Sequence, residues 1–197
     1  FYVSDHQFSS AIGNVEKCTI FGYHSGSNLT TGANNNSGFG SNVLSGTTTG
    51  ADNTAMGYNG LNANTSGSWN TAFGSGALQL NDTGSANTAV GMSSLDANTT
   101  GTGNVGMGYN SLTANSTAHL NVAVGNAALA TNDTGDANVA VGADALTTNA
   151  SGTGNVAMGY QALKDNLAGL NVAVGTAALT ANTSGTNNVA MGSDASK

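Results

Sequence analysis

The chain has 197 residues, of which 29 are glycine and none is proline, and only 7% are charged, with a net charge of −7. Its three basic residues, Lys17, Lys164 and Lys197, cannot line a phosphate-binding face, which argues against a nucleic-acid-binding protein. No run approaches the roughly 20 apolar residues of a membrane helix. The single cysteine, Cys18, allows no internal disulfide.

The first 17 residues lack the pattern that fills the rest of the chain. Four of their large apolar side chains, Phe1, Tyr2, Val3 and Phe8, are candidates for an assembly segment. Three interpretations stay open for residues 1–17: a cap on the repeats, a junction to an upstream domain, or a strand donated to another subunit. Residues 18–35 are predicted to be a degenerate first coil. It begins at Cys18, which is expected to be an inert packing residue.

Residues 36–197 are predicted to be a repeat domain. The pentapeptide Asn-Thr/Val-Ala/Gly-apolar-Gly recurs every 17 residues, except for one 16-residue step in which one residue is missing after Gly169. Its copies begin at Asn53, Asn70, Asn87, Asn104, Asn121, Asn138, Asn155, Asn171 and Asn188. With weaker copies at Asn36 and Cys18 there are eleven. A Leu follows the Gly of most copies by four residues, and a second Asn follows the Leu by three.

A unit of 17 residues is too short for the two packed helices of known helical repeats. It fits one coil of an all-β, parallel β-solenoid with two short strands, such as Asn121–Val124 and Ala127–Ala130, joined by Asn- and Gly-containing turns. About eleven coils are expected. Equivalent residues then stack about 4.8 Å apart.

The stacked rows predict which side chains are buried. The second and fourth pentapeptide positions share one face of a strand and are apolar or β-branched, so this face is predicted to be core. The Leu row is expected to complete the core, and the Asn rows to pair their amides.

The third pentapeptide position is then predicted to point outward. It is Ala or Gly in every copy after the first, and a row of small residues suggests close approach of another backbone. An oligomer interface is one interpretation, and a tightly curved strand that tolerates Ala is the other. The interface candidates are Ala55, Ala72, Ala89, Gly106, Ala123, Ala140, Ala157, Ala173 and Ala190.

These motifs resemble the head repeats of YadA-type trimeric autotransporter adhesins, and the related Asn-Thr-Ala-x-Gly-x-x-Ala-Leu repeats of phage and bacterial surface fibres. The resemblance covers about residues 36–197, although this unit is longer than the family's shorter head repeats. In that family each chain forms a left-handed β-roll and three rolls pack around an axis. The resemblance therefore implies a homotrimeric fibre at a cell surface or on a virion.

No catalytic or metal-binding pattern is found. The three His residues are scattered, and the acidic residues fall mostly in turns without the multi-oxygen motif of a calcium ladder. An enzyme, a cofactor and a metal are therefore not expected. Asn-x-Ser/Thr sequons recur in the turns, where Asn and Gly are also what the turn demands. The glycosylation candidates are Asn64, Asn81, Asn98, Asn115, Asn132, Asn149 and Asn182.

Three functions are compared. The first is a structural and adhesive repeat protein of an extracellular fibre that presents a surface for attachment to a host surface or carbohydrate receptor. The second is a filament subunit that polymerises end to end or by donor-strand exchange, because Met191–Ala195 continue the repeat and leave an exposed edge. The third is an ice- or carbohydrate-binding solenoid, for which Tyr58, Tyr109 and Tyr160 occupy one repeat position. All three predict self-association or a surface ligand, with no nucleic-acid partner and no membrane insertion.

Overall fold

The computed structural model describes residues 17–196, which form eleven short strands and no helix. The strands lie in chain order in a single sheet, and every neighbouring pair is parallel. They are β1 (Thr19–Phe21), β2 (Ser37–Ser41), β3 (Thr54–Tyr58), β4 (Thr71–Phe73), β5 (Thr88–Val90), β6 (Val105–Met107), β7 (Val122–Val124), β8 (Val139–Val141), β9 (Val156–Met158), β10 (Val172–Val174) and β11 (Val189–Met191). The predicted parallel β-solenoid is confirmed.

Each coil contributes one strand, and the pentapeptide sets the register. Val122 pairs with Val139 and Ala123 with Ala140, so identical repeat positions lie side by side. The register survives the 16-residue step, across which Val156 pairs with Val172. At about 4.8 Å per strand, the stack of eleven strands is roughly 50 Å long.

The predicted second strand does not form. Residues 126–131 are a turn, in which Ala127 and Leu129 have positive φ angles of 51°. The turn still bonds to both neighbouring coils: the Ala127 N–H donates to Tyr109 O at 2.9 Å, and the Leu129 N–H donates to Ala145 O at 3.0 Å. Backbone groups are thus paired without the extended conformation that a strand requires.

The Leu row adopts this left-handed conformation throughout, with φ between 48° and 54°. The conformation costs a non-glycine residue of order 1 kcal/mol. It persists because it directs the largest apolar side chain of the coil into the interior, where burial of a Leu stabilises by about 1.5–3 kcal/mol. The row comprises Leu44, Leu61, Leu78, Leu95, Leu112, Leu129, Leu146, Leu163 and Leu179, all buried.

The side of each strand that faces the interior is the opposite of the predicted one. The third-position Ala side chains point inward against the Leu row, and they are fully or almost fully buried. The second and fourth positions point outward. The predicted core rows of Val122, Val139, Val156 and Val172, and of Val124, Val141, Met158 and Val174, are half-buried or exposed. In β3–β11 the residue between strand and Leu is Ala or Gly, whereas β1 places Ile20 at this position, beside Gly38 of β2.

The two Asn rows form the other half of the interior. The Asn87 Nδ2 donates to Gly101 O at 2.8 Å, and the Asn98 Nδ2 donates to the same carbonyl at 3.1 Å. Both side-chain amides also donate to the preceding coil: the Asn87 Nδ2 donates to the Asn70 Oδ1 at 3.2 Å, and the Asn98 Nδ2 donates to the Asn81 Oδ1 at 2.6 Å. The turn carbonyl joins the two rows and gives their buried Asn amides hydrogen-bond partners, whereas Thr47, which takes the second Asn position of its coil, has a buried Oγ1 without a partner.

The shortened coil keeps this arrangement through a neighbouring residue. Ala168 O accepts from the Asn155 Nδ2 at 2.9 Å and from the Asn166 Nδ2 at 2.6 Å, which is the bonding of the closing Gly elsewhere. The missing residue therefore lies between Asn166 and Ala168. The prediction that it is lost after Gly169 is wrong, and Gly169 does not take the closing position.

Candidate functional site: the outer sheet face and a polar groove

The outer face of the sheet exposes large apolar side chains in strand after strand. We define it by the second and fourth pentapeptide positions of the eleven strands. The second-position row is Thr19, Ser37, Thr54, Thr71, Thr88, Val105, Val122, Val139, Val156, Val172 and Val189. The fourth-position row is Phe21, Phe39, Met56, Phe73, Val90, Met107, Val124, Val141, Met158, Val174 and Met191.

Large apolar side chains stay accessible along this face. Met56, Met107 and Met158 are 43%, 44% and 45% exposed. At its first strands, the rings of Phe21 and Phe39 stack with centroids 5.2 Å apart. Strand spacings of about 4.8 Å, and three residues of about 3.3 Å each, give the face an area on the order of 500 Å². Contiguous apolar patches of more than a few hundred Å² mark interaction sites.

The small-residue row cannot be that surface. Within one chain, Ala72, Ala89, Ala123, Ala140, Ala157 and Ala173 have no exposed area, Ala55 and Ala190 retain 1% and 5%, and Gly106 is also buried. The interpretation that these residues form an oligomer interface is wrong, because their neighbours are the Leu side chains of the same chain. The sequence signal that identifies the outer face is size variation: its fourth position accepts Val, Met and Phe in turn, which a packed interior does not.

The glycosylation candidates lie inside the coil. Asn64, Asn81, Asn98, Asn115, Asn132 and Asn149 have no exposed area. The partly exposed Asn182 donates its Nδ2 to Gly185 O and to the Asn166 Oδ1, each at 2.8 Å. A glycan on any of these nitrogens is incompatible with the coil, so the sequon pattern reflects the buried Asn row rather than an acceptor site.

The candidate tyrosines are on the surface. Tyr58, Tyr109 and Tyr160 are 54%, 47% and 50% exposed. Tyr23 occupies the same repeat position in the first coil and is 71% exposed, with its ring edge-to-face against His24 at a centroid distance of 4.1 Å. Each of these tyrosines is followed by an amide or imidazole residue, namely His24, Asn59, Asn110 and Gln161.

A groove of about 510 Å³ lies beside Tyr23 on the first three coils. Its lining is His24, Ser27, Asn28, Asn42, Ser45, Gly46, Asn62 and Ala63. The amide of Asn62 is held in place, since its Nδ2 donates to the Ser45 Oγ at 2.7 Å and to Asn42 O at 3.0 Å. Sequence reasoning missed this groove, although its lining residues stand at three recurring repeat positions, the second, fifth and sixth after the pentapeptide Gly, which the repeat places side by side.

Among residues 17–196, no three His, Cys, Asp or Glu side chains lie close enough together to hold a metal ion. In the same range there is no helix of the length and apolarity that crossing a membrane requires. The assembly-segment candidates Phe1, Tyr2, Val3 and Phe8 lie outside the described residues.

Comparison of the chain with known protein families, with curated proteins and with solved structures finds no match. The solenoid and its surfaces are therefore the basis for any statement about function.

Proposed function

We propose that the chain is a structural and adhesive repeat protein of an extracellular fibre, without catalytic activity, in which three identical chains associate through the outer sheet face. The observation that carries this proposal is the accessibility of the Phe, Met and Val side chains along the whole length of that face. The resemblance of the repeat to trimeric adhesin heads supports the number of three.

The chemistry of the face favours a second copy of this chain as its partner. The second and fourth rows contain no charged side chain in any of the eleven strands, so identical faces meet without burying like charges. Because the rows are regular and parallel to the stack, one face fits another along its whole length. Burial of this face of about 500 Å², in which only the second positions of the first five strands are Thr or Ser, contributes at most roughly 12 kcal/mol before the cost of association.

The solenoid suits a fibre because its hydrogen bonds run along the long axis. Each coil is bonded to the next through strand, turn and Asn side chains. Such a stack resists bending and extends by the addition of coils. A mechanical role of this kind requires no titratable or nucleophilic residue.

An end-to-end filament is the second candidate, and one observation favours it. Within the described residues β11 pairs only with β10, and its Val189 and Met191 are 71% and 73% exposed, more than other Val and Met residues of the outer face. A strand edge with accessible backbone N–H and C=O groups can pair with a strand of another chain.

Sedimentation equilibrium of the chain distinguishes the two. The fibre proposal predicts one species with three times the chain mass of 19.2 kDa. Species of many lengths, with filaments in electron micrographs, would favour the end-to-end candidate instead. A monodisperse monomer at micromolar concentration would contradict both.

A further inference from the structure

We propose that the groove beside Tyr23 binds an uncharged saccharide. The described residues that line it supply three side-chain amides, two hydroxyls and one imidazole, but no carboxylate, ammonium or guanidinium group. Such a lining offers hydrogen-bond donors and acceptors in similar number, which matches the hydroxyl groups of a sugar. It offers no counter-charge for a phosphate, a carboxylate or a cation.

The polar groups are arranged before a ligand arrives. The two bonds that Asn62 donates through its Nδ2 fix the plane of its side-chain amide. The Asn42 Nδ2 donates to the Asn59 Oδ1 at 3.2 Å, so the orientation of a second amide is also set. A ligand then meets groups that need little ordering, which reduces the entropic cost of binding.

An aromatic surface stands at the margin of the groove. Tyr23 is 71% exposed, and its contact with His24, a lining residue, holds the ring next to the polar groups. A Tyr ring supplies an apolar body with a polar tip. The apolar C–H face of a pyranose can pack on this ring while its hydroxyls bond to Asn42 and Asn62. Pockets that combine apolar surface with a few convergent polar groups are typical ligand sites.

The repeat itself supplies substitutions that the coil tolerates. Asn42 has a φ of 56°, and Gly76 occupies the same repeat position with a φ of 69°, so Asn42→Gly removes the amide without backbone strain. Thr113 stands at the position of Asn62, and Ser41 at that of Tyr23. Asn62→Thr and Tyr23→Ser therefore keep the fold while removing the proposed contacts.

The test screens neutral and charged oligosaccharides, namely gluco-, galacto-, manno- and N-acetylglucosamine oligomers together with sialylated and sulfated ones. Binding is measured by saturation-transfer NMR and calorimetry. We expect binding of a neutral oligosaccharide that weakens at least tenfold in the Asn42→Gly/Asn62→Thr variant and in Tyr23→Ser. The matched control, Tyr109→Ser/Asn110→Gly, removes an equivalent pair three or more coils away and should bind like the wild type.

Three results would overturn the proposal: no binding of any neutral oligosaccharide, preference for the charged ones, or equal weakening by the control variant. The site rests on the coils of a single chain, so its test is independent of the oligomer. A chain that sediments as a monomer but still binds the saccharide would contradict the fibre proposal and leave the saccharide site supported.

Discussion

The Oγ atoms of Ser94 and Ser111 lie 2.9 Å apart inside the solenoid, in the row of residues that directly precedes each buried Leu. Most other coils have Ala at this position. A Cβ placed on Gly106 would lie 2.5 Å from the Ser94 Oγ and 3.1 Å from the Ser111 Oγ. The hydroxyl pair therefore fills the space that an Ala methyl occupies in neighbouring strands, which explains why Gly106 interrupts the Ala row.

Gly106→Ala is expected to destabilise the chain by about 1–3 kcal/mol through overpacking, because the new methyl displaces the hydroxyl pair. In a Ser94→Ala/Ser111→Ala background the same change should be neutral or stabilising, since Ala suits a strand better than Gly. Chemical denaturation of the four proteins measures the free energy of unfolding. An equal cost of Gly106→Ala in both backgrounds would show that the hydroxyls are not the cause.

The buried Asn rows predict an asymmetry between amide and carboxylate. The Asn98 Nδ2 donates to the Asn81 Oδ1 and to Gly101 O, and its Oδ1 accepts from the Asn115 Nδ2 at 2.8 Å. Asn98→Asp replaces the donor with a second acceptor that faces two others. We expect a loss of at least about 3 kcal/mol at neutral pH, the scale of an uncompensated buried charge.

That loss should shrink in acid. Burial raises the pKa of such a carboxyl, so the folded state binds its proton more tightly than the unfolded state, and stability falls as the pH rises through this range. The control is Asn126→Asp on an exposed position, which should be nearly neutral at any pH. If thermal melts at pH 3 and pH 7 show the same loss for Asn98→Asp, the Asn row does not depend on its donors.

Asp96 gives a second pH-dependent prediction. Burial raises the pKa of its carboxyl, and its buried Oδ1 has no hydrogen-bond partner. At a pH above this raised pKa the carboxylate of Asp96 is ionised, and there its burial destabilises the folded state most. Asp96→Thr, which copies Thr113 of the next coil, should raise the melting temperature at pH 7. The gain should narrow as the pH falls through the raised pKa and be smallest below the ordinary Asp pKa of about 3.9. A gain that grows on acidification would have the wrong sign.

Cys18 begins the first Asn row and substitutes for its amide. The Cys18 Sγ donates to Ala33 O at 3.1 Å and accepts the Asn36 N–H at 3.3 Å. Burial raises the pKa of the thiol, although the Asn36 hydrogen bonds oppose it, so the reactive thiolate is disfavoured. We expect slow alkylation by iodoacetamide at pH 7 in the folded chain and rapid alkylation in urea.

Cys18→Asn should keep or raise the stability, because it continues the row, whereas Cys18→Ala should lower it by about 1 kcal/mol. Melting curves of the two variants test this directly. Equal stability of the two variants would mean that hydrogen bonds at position 18 do not contribute to the stability of the fold.

The stacking of coils and the place of each strand follow from the sequence, because a 17-residue unit with one extended pentapeptide leaves few alternatives. The pairing of Val122 with Val139 is a direct consequence of the period. The buried Leu and Asn rows follow as well, since both residues recur without substitution by larger or charged side chains.

The direction of the strand faces does not follow from apolarity alone. Val122 and Val124 are more hydrophobic than Ala123, yet Ala123 is the buried residue. The deciding factor is the space left beside Leu129, whose left-handed backbone directs the Leu into the interior. Residue propensities give no indication that Leu adopts a positive φ. They therefore predict a second strand where the structure has a turn. A repeat position that is always a small residue, like the third pentapeptide position, indicates a packed interior. A position that varies among large apolar residues, like the fourth, indicates a surface.

The outer sheet face is the proposed contact between chains, and the masses of charged variants test this contact directly. Val124 and Val141 lie on that face, and Ala130 occupies the repeat position at which Lys164 stands naturally. We predict that wild type and Ala130→Lys sediment with three times the chain mass, and that Val124→Lys/Val141→Lys sediments as a folded monomer with an unchanged circular dichroism spectrum. A double variant that retains the wild-type mass would contradict association of the chains through the outer sheet face.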